Sequence, residues 1–154
     1  DVEASGFGAG SYPIEVGFVL PGGRAVCTLI QPEPDWSHWD AAAEQLHGIT
    51  RQTAMQHGLP VAAVAELLNR ELAGRTVYTD AWSHDYSWLG RLFDAAGRPQ
   101  GFKLEHLRKL LDERQLEQLD QAKREARSAL QVKRHRASSD ACVLQWAVCK
   151  VRGG

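Results

Sequence analysis

The sequence predicts an α/β domain in which a mixed β-sheet is flanked by α-helices. Two apolar, β-rich runs come first, at residues 14–20 and 25–30, and Pro21-Gly22-Gly23 between them predicts a hairpin turn. Residues 76–79 predict another short strand, and helical spacing of apolar residues dominates the rest of the chain. Strands that come early and helices that come late favour the α/β class.

The helices are predicted from apolar residues three and four apart and from the residues that begin and end each run. Gly48, Gly58 and Gly74 are expected to end the first three. Ser83 and Ser138 are expected to cap two later helices, which carry Asp85 and Asp140 in their first turns. The predicted segments are residues 40–47 and 51–57, a helix opened by Pro60, a helix after Ser83, a helix over Leu104, Leu107, Leu110 and Leu111, residues 114–131, and a helix after Ser138.

Length and composition fit one domain over residues 1–154. The hydrophobic fraction is 44% and the charged fraction 24%, which are ordinary values for a soluble globular protein. No apolar run approaches the ~20 residues of a membrane span, so no membrane is expected. The net charge is −1, but residues 1–102 hold 6 Lys/Arg against 12 Asp/Glu, whereas residues 103–136 hold 10 against 6. This asymmetry predicts an acidic site beside a basic flank.

The three cysteines do not suggest a disulfide framework. Cys142 and Cys149 are seven residues apart, near one helix face, and Cys27 is remote in sequence. Buried thiols are the favoured interpretation, and no Cys/His pair has the spacing of a zinc site. The natural compartment of such a chain is a reducing cytoplasm.

Four acidic side chains stand where predicted elements begin or end. Asp1 and Glu3 are two apart, so in a strand they point to the same face. Asp1-Val2-Glu3 is typical of a strand's end, and we therefore expect apolar residues upstream. Asp85 and Asp140 lie in first helical turns, where capping is the ordinary role of an acid. If all four converge at a sheet edge, their repulsion favours hard divalent cations, Mg²⁺ or Mn²⁺, and two such ions can clamp a phosphodiester.

Three short motifs occur in order: Asp1-Val2-Glu3-Ala4-Ser5-Gly6, Thr79-Asp80-Ala81-Trp82-Ser83-His84-Asp85 and His135-Arg136-Ala137-Ser138-Ser139-Asp140-Ala141. They resemble the exonuclease motifs of the DEDD superfamily, and the spacing of His135 and Asp140 resembles its histidine branch. The segment His47-Gly48-Ile49-Thr50 resembles one that lines the nucleotide pocket in that family. The resemblance implies a ribonuclease-H-like fold and 3′→5′ hydrolysis of single-stranded DNA or RNA, with release of nucleoside monophosphates.

The resemblance also implies roles for individual residues. His135 is expected to be the general base, and two divalent cations are expected on Asp1, Glu3, Asp85 and Asp140. The segment Ala4, Ser5, Gly6 and Phe7, together with His47 and Ile49, is expected to bind the terminal nucleotide at a single-stranded 3′ end. Asp80 competes with Asp85 for the metal role. Asp85 is preferred because it falls on the core-facing side of its helix. Asp80 would then contact the metal ligands without binding the metal itself. Members of the family often dimerise, so a homodimer is possible.

Alternatives remain for the function and for several residues. A nucleic-acid-binding module with little turnover and an endonuclease of the same fold are the other candidate functions. His135 alone could be a surface histidine, and Trp36 and Trp39 favour packing over base stacking. Glu15 is expected on the polar face of its strand. A basic run favours a phosphate track over a solvated helix face because it continues into His135; it consists of Lys123, Arg124, Arg127, Lys133, Arg134 and Arg136.

Overall fold

A computed structural model describes residues 1–153. Strand β1 (Val2–Ala4) pairs antiparallel with β2 (Pro13–Val19), which pairs antiparallel with β3 (Ala25–Leu29). The predicted hairpin is thus confirmed, and both Gly22 and Gly23 in its turn have positive φ. Helices α1 (Ala41–His47), α2 (Arg51–His57) and α3 (Val61–Leu72) follow close to their predicted positions.

The second half holds a parallel pair of strands and three long helices. Strand β4 (Thr76–Thr79) leads into α4 (Trp82–Ala96) and pairs in parallel with β5 (Lys103–His106). Helices α5 (Glu113–Leu130) and α6 (Ala137–Val151) complete the chain. The α/β class is confirmed. Antiparallel and parallel pairings are both present, but they form two separate small sheets among the described residues.

One predicted helix is wrong. The leucines at 104–111 have helical spacing, yet β5 covers residues 103–106 and a 3-10 turn covers Leu107–Lys109. Lys103, Leu104 and Glu105 also alternate polar and apolar, and pairing with β4 along four residues outweighs the helical pattern. The turn begins where the His106 ring Nδ1 accepts a hydrogen bond from the Arg108 backbone N–H.

Both predicted serine caps are wrong as well. Helix α4 starts one residue before Ser83, and Thr79 Oγ1 accepts from the Ala81 N–H just ahead of it. Helix α6 starts one residue before Ser138, and the Ala137 N–H donates to the carboxylate of Glu15 on β2. At α6 a tertiary acceptor thus takes the place of the predicted local cap, whereas α4 begins without a side-chain cap.

A single large apolar core lies between β2 and helices α3 and α4, and a smaller one lies between α5 and α6. The tryptophans behave as packing residues: Trp36 is buried, and Trp39 packs against the core. The thiols are not buried as expected, because Cys27 and Cys149 are exposed and Cys142 is half-buried. Within residues 1–153, no helix combines the length and apolarity that crossing a membrane requires.

Candidate metal centre

A pocket of about 310 Å³ collects the residues that the motifs single out. It lies where β1, the first turn of α4 and the loop entering α6 meet. Its lining includes every acidic side chain assigned to metal binding and the assigned base: Asp1, Glu3, Asp85, His135 and Asp140. Residues up to 139 positions apart in sequence therefore share one cleft, which local capping does not explain.

Three of these side chains are close enough to hold one ion. Ligand atoms of Glu3, His135 and Asp140 all lie within 4.8 Å of one another. All three side chains are half-buried, so they face both the protein and the pocket. The sequence assigned His135 to proton transfer alone, whereas in the structure a nitrogen of its ring lies within 4.8 Å of an oxygen of Glu3 and of an oxygen of Asp140, a spacing at which the three could share one ion.

The loop before α6 fixes His135 in an unusual backbone conformation. Its φ is 60°, in the left-handed region, where a residue with a side chain costs roughly 1–2 kcal/mol relative to the right-handed form. The His135 N–H donates to Asp140 Oδ2 at 2.9 Å, which joins the loop to the first turn of the helix. Backbone strain held by such a hydrogen bond is frequent at functional sites.

Asp85 is the most buried acid of the site, with 2% of its surface exposed. Its Oδ2 accepts a hydrogen bond from Thr79 Oγ1 at 2.6 Å, which links it to the end of β4. Burial raises the pKa of the Asp85 carboxyl, an effect that the Thr79 hydrogen bond only partly opposes. Asp80 lies outside the pocket lining and pairs with Lys123 on α5. Of the two acids, only Asp85 therefore lines the pocket.

The electrostatics of the pocket fit a divalent cation. Burial raises the pKa of Glu3 to about 7, and the nearby Asp140 and Glu15 carboxylates contribute to the same shift. Asp1 Oδ2 is buried and has no hydrogen-bond partner among residues 1–153. Repulsion between the acids and the unpaired buried oxygen both destabilise the metal-free protein. A hard cation, which prefers oxygen ligands, would relieve both.

Four of the six residues assigned to the nucleotide line the pocket: Ala4, Gly6, Phe7 and His47. Phe7 is 63% exposed and therefore open to a ligand. At Gly6 the φ is 152°, and a Cβ would lie 2.7 Å from the Asp40 Cβ, so a larger residue does not fit there. The segment just after β1 therefore lines the pocket at Gly6 with backbone atoms alone.

Ser5 and Ile49 lie elsewhere. Ser5 is fully buried, and its hydroxyl accepts from the Tyr12 N–H and bonds the His38 ring at 2.9 Å, so its side chain holds the loop rather than facing the pocket. Ile49 is part of the apolar core, and its N–H donates to Nδ1 of His47. Burial lowers the pKa of His47, which favours a neutral ring.

Sequence reasoning missed an aromatic wall and a buried acid. The His84 ring centroid lies 5.0 Å from that of Phe7 and 5.5 Å from that of Trp88 in the same pocket. The sequence did contain a signal for these aromatic residues, since His84 precedes Asp85 and Trp88 follows it by three residues.

Glu15 is the buried acid that sequence reasoning missed. It was expected on a polar strand face, but it is 2% exposed because α6 covers that face.

No protein-family model matches the chain, and no curated protein matches it. The functional assignment therefore depends on the three motifs and on the geometry of the pocket.

Proposed function

We propose that the chain is a metal-dependent 3′→5′ exonuclease that acts on single-stranded DNA or RNA and releases nucleoside monophosphates. The observation that carries the proposal is the convergence of Asp1, Glu3, Asp85, His135 and Asp140 on one pocket. The residues come from three separate segments, in the order of the DEDD exonuclease motifs.

Asp1, Glu3, Asp85 and Asp140 would hold two divalent cations, Mg²⁺ or Mn²⁺. Such ions, when bound, neutralise phosphate charge and make a water molecule more acidic. The protein's own contribution is to place the acids, to keep Asp85 buried beside Thr79, and to hold His135 in the pocket lining. His135 accepts the proton of the attacking water, because a neutral imidazole is the usual base at neutral pH.

The volume and the lining of the pocket support a single nucleotide as the bound unit. About 310 Å³ is at the lower end of the range for small-molecule sites. Phe7, with His84 behind it, offers an aromatic face on which a base can stack. Exposed Leu46 also lines the pocket and adds apolar surface for an unpaired base. These features favour a frayed or single-stranded end.

The arrangement of strands supports the ribonuclease-H-like fold as part of the proposal. Strand β1 pairs with β2 on one side. A small cavity of about 30 Å³ is lined by Asp1 and Val2, by residues of β2, and by Val77, Tyr78 and Thr79 of β4. Pairing of β1 with β4 would join the two sheets into one mixed sheet in the order β3-β2-β1-β4-β5.

A substrate labelled separately at its 5′ and 3′ ends tests the proposal. With Mg²⁺ or Mn²⁺, the 3′ label should leave at once as a mononucleotide, and the 5′-labelled strand should shorten one nucleotide at a time. Excess chelator should stop the reaction, and full activity in chelator would contradict the metal mechanism. Cleavage of circular single strands would instead indicate an endonuclease, and binding without turnover would indicate a binding module.

A further inference from the structure

Glu15 lies beside the site without lining its pocket. In the β1–β2 pairing it is directly opposite Glu3, so the two side chains point to the same face of the sheet. Glu15 is 2% exposed, which places a carboxylate in the protein interior next to a proposed metal ligand. A buried carboxylate requires compensation, and its partners explain its role.

Four hydrogen bonds join Glu15 to the start of α6. Arg136 Nε lies 3.1 Å from Oε1 and 3.2 Å from Oε2, and Arg136 Nη2 lies 2.7 Å from Oε2. The Ala137 N–H donates to Oε1 at 2.7 Å. No side chain of the helix itself caps α6. A strand carboxylate therefore takes the place of the local cap and lies at the positive end of the helix dipole.

Gly17 provides an independent observation at the same place. It lies two residues after Glu15 on β2, and a Cβ there would be 2.6 Å from the Ala137 carbonyl carbon and 2.7 Å from the Ser138 nitrogen. The missing side chain lets the first turn of α6 touch the strand. The close approach and the four hydrogen bonds together fix the start of the helix against β2.

The clamped residues lie between the proposed base and a proposed ligand. His135 precedes Arg136, and Asp140 follows Ala137 by three residues, less than one helical turn. We propose that Glu15 is a positioning residue: by clamping Arg136 and Ala137 it sets the distance of His135 and Asp140 from Glu3. This inference rests on the proposed nuclease function. Glu15 contacts neither substrate nor ion in this role.

The contacts between Glu15 and Arg136 also favour a positioning role for Glu15 over a role in stabilising the fold. The Arg136 side chain is 45% exposed, so solvent screens its attraction to Glu15 and the ion pair adds little to stability. The geometry of the pair, with two Arg136 nitrogens and a backbone N–H on one carboxylate, is specific in direction. Such partners of a metal site typically affect metal affinity or activity by about 10–100-fold when they are changed.

Glu15→Gln is the test variant, because glutamine keeps the shape and one acceptor oxygen but loses the charge. We expect kcat to fall about 10–100-fold with KM little changed, and Mn²⁺ to bind about 10-fold or more weakly. In the metal-free protein, the backbone amides of residues 135–140 should exchange faster by NMR. Glu71→Gln is the control, since it breaks a pair with Arg24 that lies outside this pocket.

The outcomes separate this inference from the proposed function. Wild-type protein without nuclease activity would overturn the function, and Mn²⁺ affinity and amide exchange would still decide the role of Glu15. Wild-type kcat, Mn²⁺ affinity and amide exchange in Glu15→Gln would overturn the positioning role and leave the function standing. If Glu15→Gln does not fold, Arg136→Lys gives the same readouts, since lysine keeps a positive charge beside the buried Glu15 carboxylate but loses the paired nitrogens of the guanidinium.

Discussion

The backbone N–H of His135 donates a 2.9 Å hydrogen bond to Oδ2 of Asp140. One carboxylate oxygen of Asp140 is thus occupied by the loop, which leaves Oδ1 for a ligand. The same hydrogen bond holds His135 in its left-handed conformation, with its ring near Glu3. The proposed base and a proposed metal ligand therefore share one local support, and their roles can be separated only by changing the imidazole without changing the loop.

His135→Asn is the change that does so, because asparagine tolerates the left-handed region better than other non-glycine residues. We expect the rate to fall about 10²–10⁴-fold, the usual contribution of a general base. Mn²⁺ affinity, measured by calorimetry, should stay within a few-fold of wild type. A large drop in Mn²⁺ affinity would instead make His135 a ligand, which its distance from Glu3 and Asp140 also permits. An unchanged rate would remove it from the mechanism.

The two acids around the start of α4 should behave differently. Asp85→Asn should abolish turnover and remove the Mn²⁺-induced rise in Tm, while the metal-free protein stays folded because a buried charge has been removed. Asp80→Asn should keep most of the activity, since it removes only a partly exposed pair with Lys123, worth about 1 kcal/mol or less. Steady-state rates and thermal melts measure both. Reversed effects would show that Asp80 is the ligand.

Local patterns predicted the hairpin and most helices because their signals are contained in a few neighbouring residues. The turn at Gly22 and Gly23 and the strands beside it illustrate this. Residues 103–109 could not be predicted in the same way, because the spacing of their leucines fits a helix. Only the parallel pairing with β4 makes residues 103–106 a strand. The predicted Ser138 cap failed for a related reason: the acceptor for the Ala137 N–H comes from Glu15, 122 positions away.

Nine of the eleven residues assigned to the site line the pocket, but the motifs did not show how each side chain would be held. The burial of Ser5 depends on His38 and Tyr12, which no local pattern connects to it. Glu15 was placed on a polar face because strand alternation alone does not reveal that α6 covers that face. A close approach of helix to strand leaves only an indirect trace in the sequence, the glycine at position 17.

The exposed end of the basic run should carry the salt dependence of binding. Arg136 is committed to Glu15 and Lys123 to Asp80, whereas Lys133 and Arg134 are exposed beside His135. Changing both Lys133 and Arg134 to Gln should weaken binding to all single-stranded sequences. It should also flatten the slope of log K against log[salt] by about 0.7 for each phosphate that the variant no longer neutralises.

Fluorescence anisotropy titrations at several salt concentrations measure this slope. The matched control changes exposed Arg70 and Arg75, which lie outside the pocket lining, and it should leave the slope unaltered. If the control and the Lys133/Arg134 variant change the slope equally, only overall charge matters. If neither changes it, the basic run is a solvated surface.

The raised pKa of Glu3 predicts how metal and pH act together on stability. Its ordinary value is 4.5, and burial with its acidic neighbours raises it to about 7 in the folded, metal-free protein. A carboxyl with a raised pKa binds more protons when folded than when unfolded. Its contribution to stability is therefore fully present below about pH 4.5 and is lost as the pH rises towards about 7. The pKa of Asp85 is shifted in the same direction.

A divalent cation binds the deprotonated carboxylates, so it should replace the lost stabilisation. We expect the rise in Tm on adding Mn²⁺ to be small near pH 5 and to grow up to about pH 7. Glu3→Gln should remove the Glu3 part of the pH dependence in metal-free protein and should sharply reduce the effect of Mn²⁺. Glu117→Gln, at an exposed position on α5, serves as the control and should change neither. A Mn²⁺ effect that is equal at pH 5 and pH 7 in wild type would contradict the assignment of Glu3 as a metal ligand, because a ligand that exchanges a proton for the ion cannot bind it independently of pH.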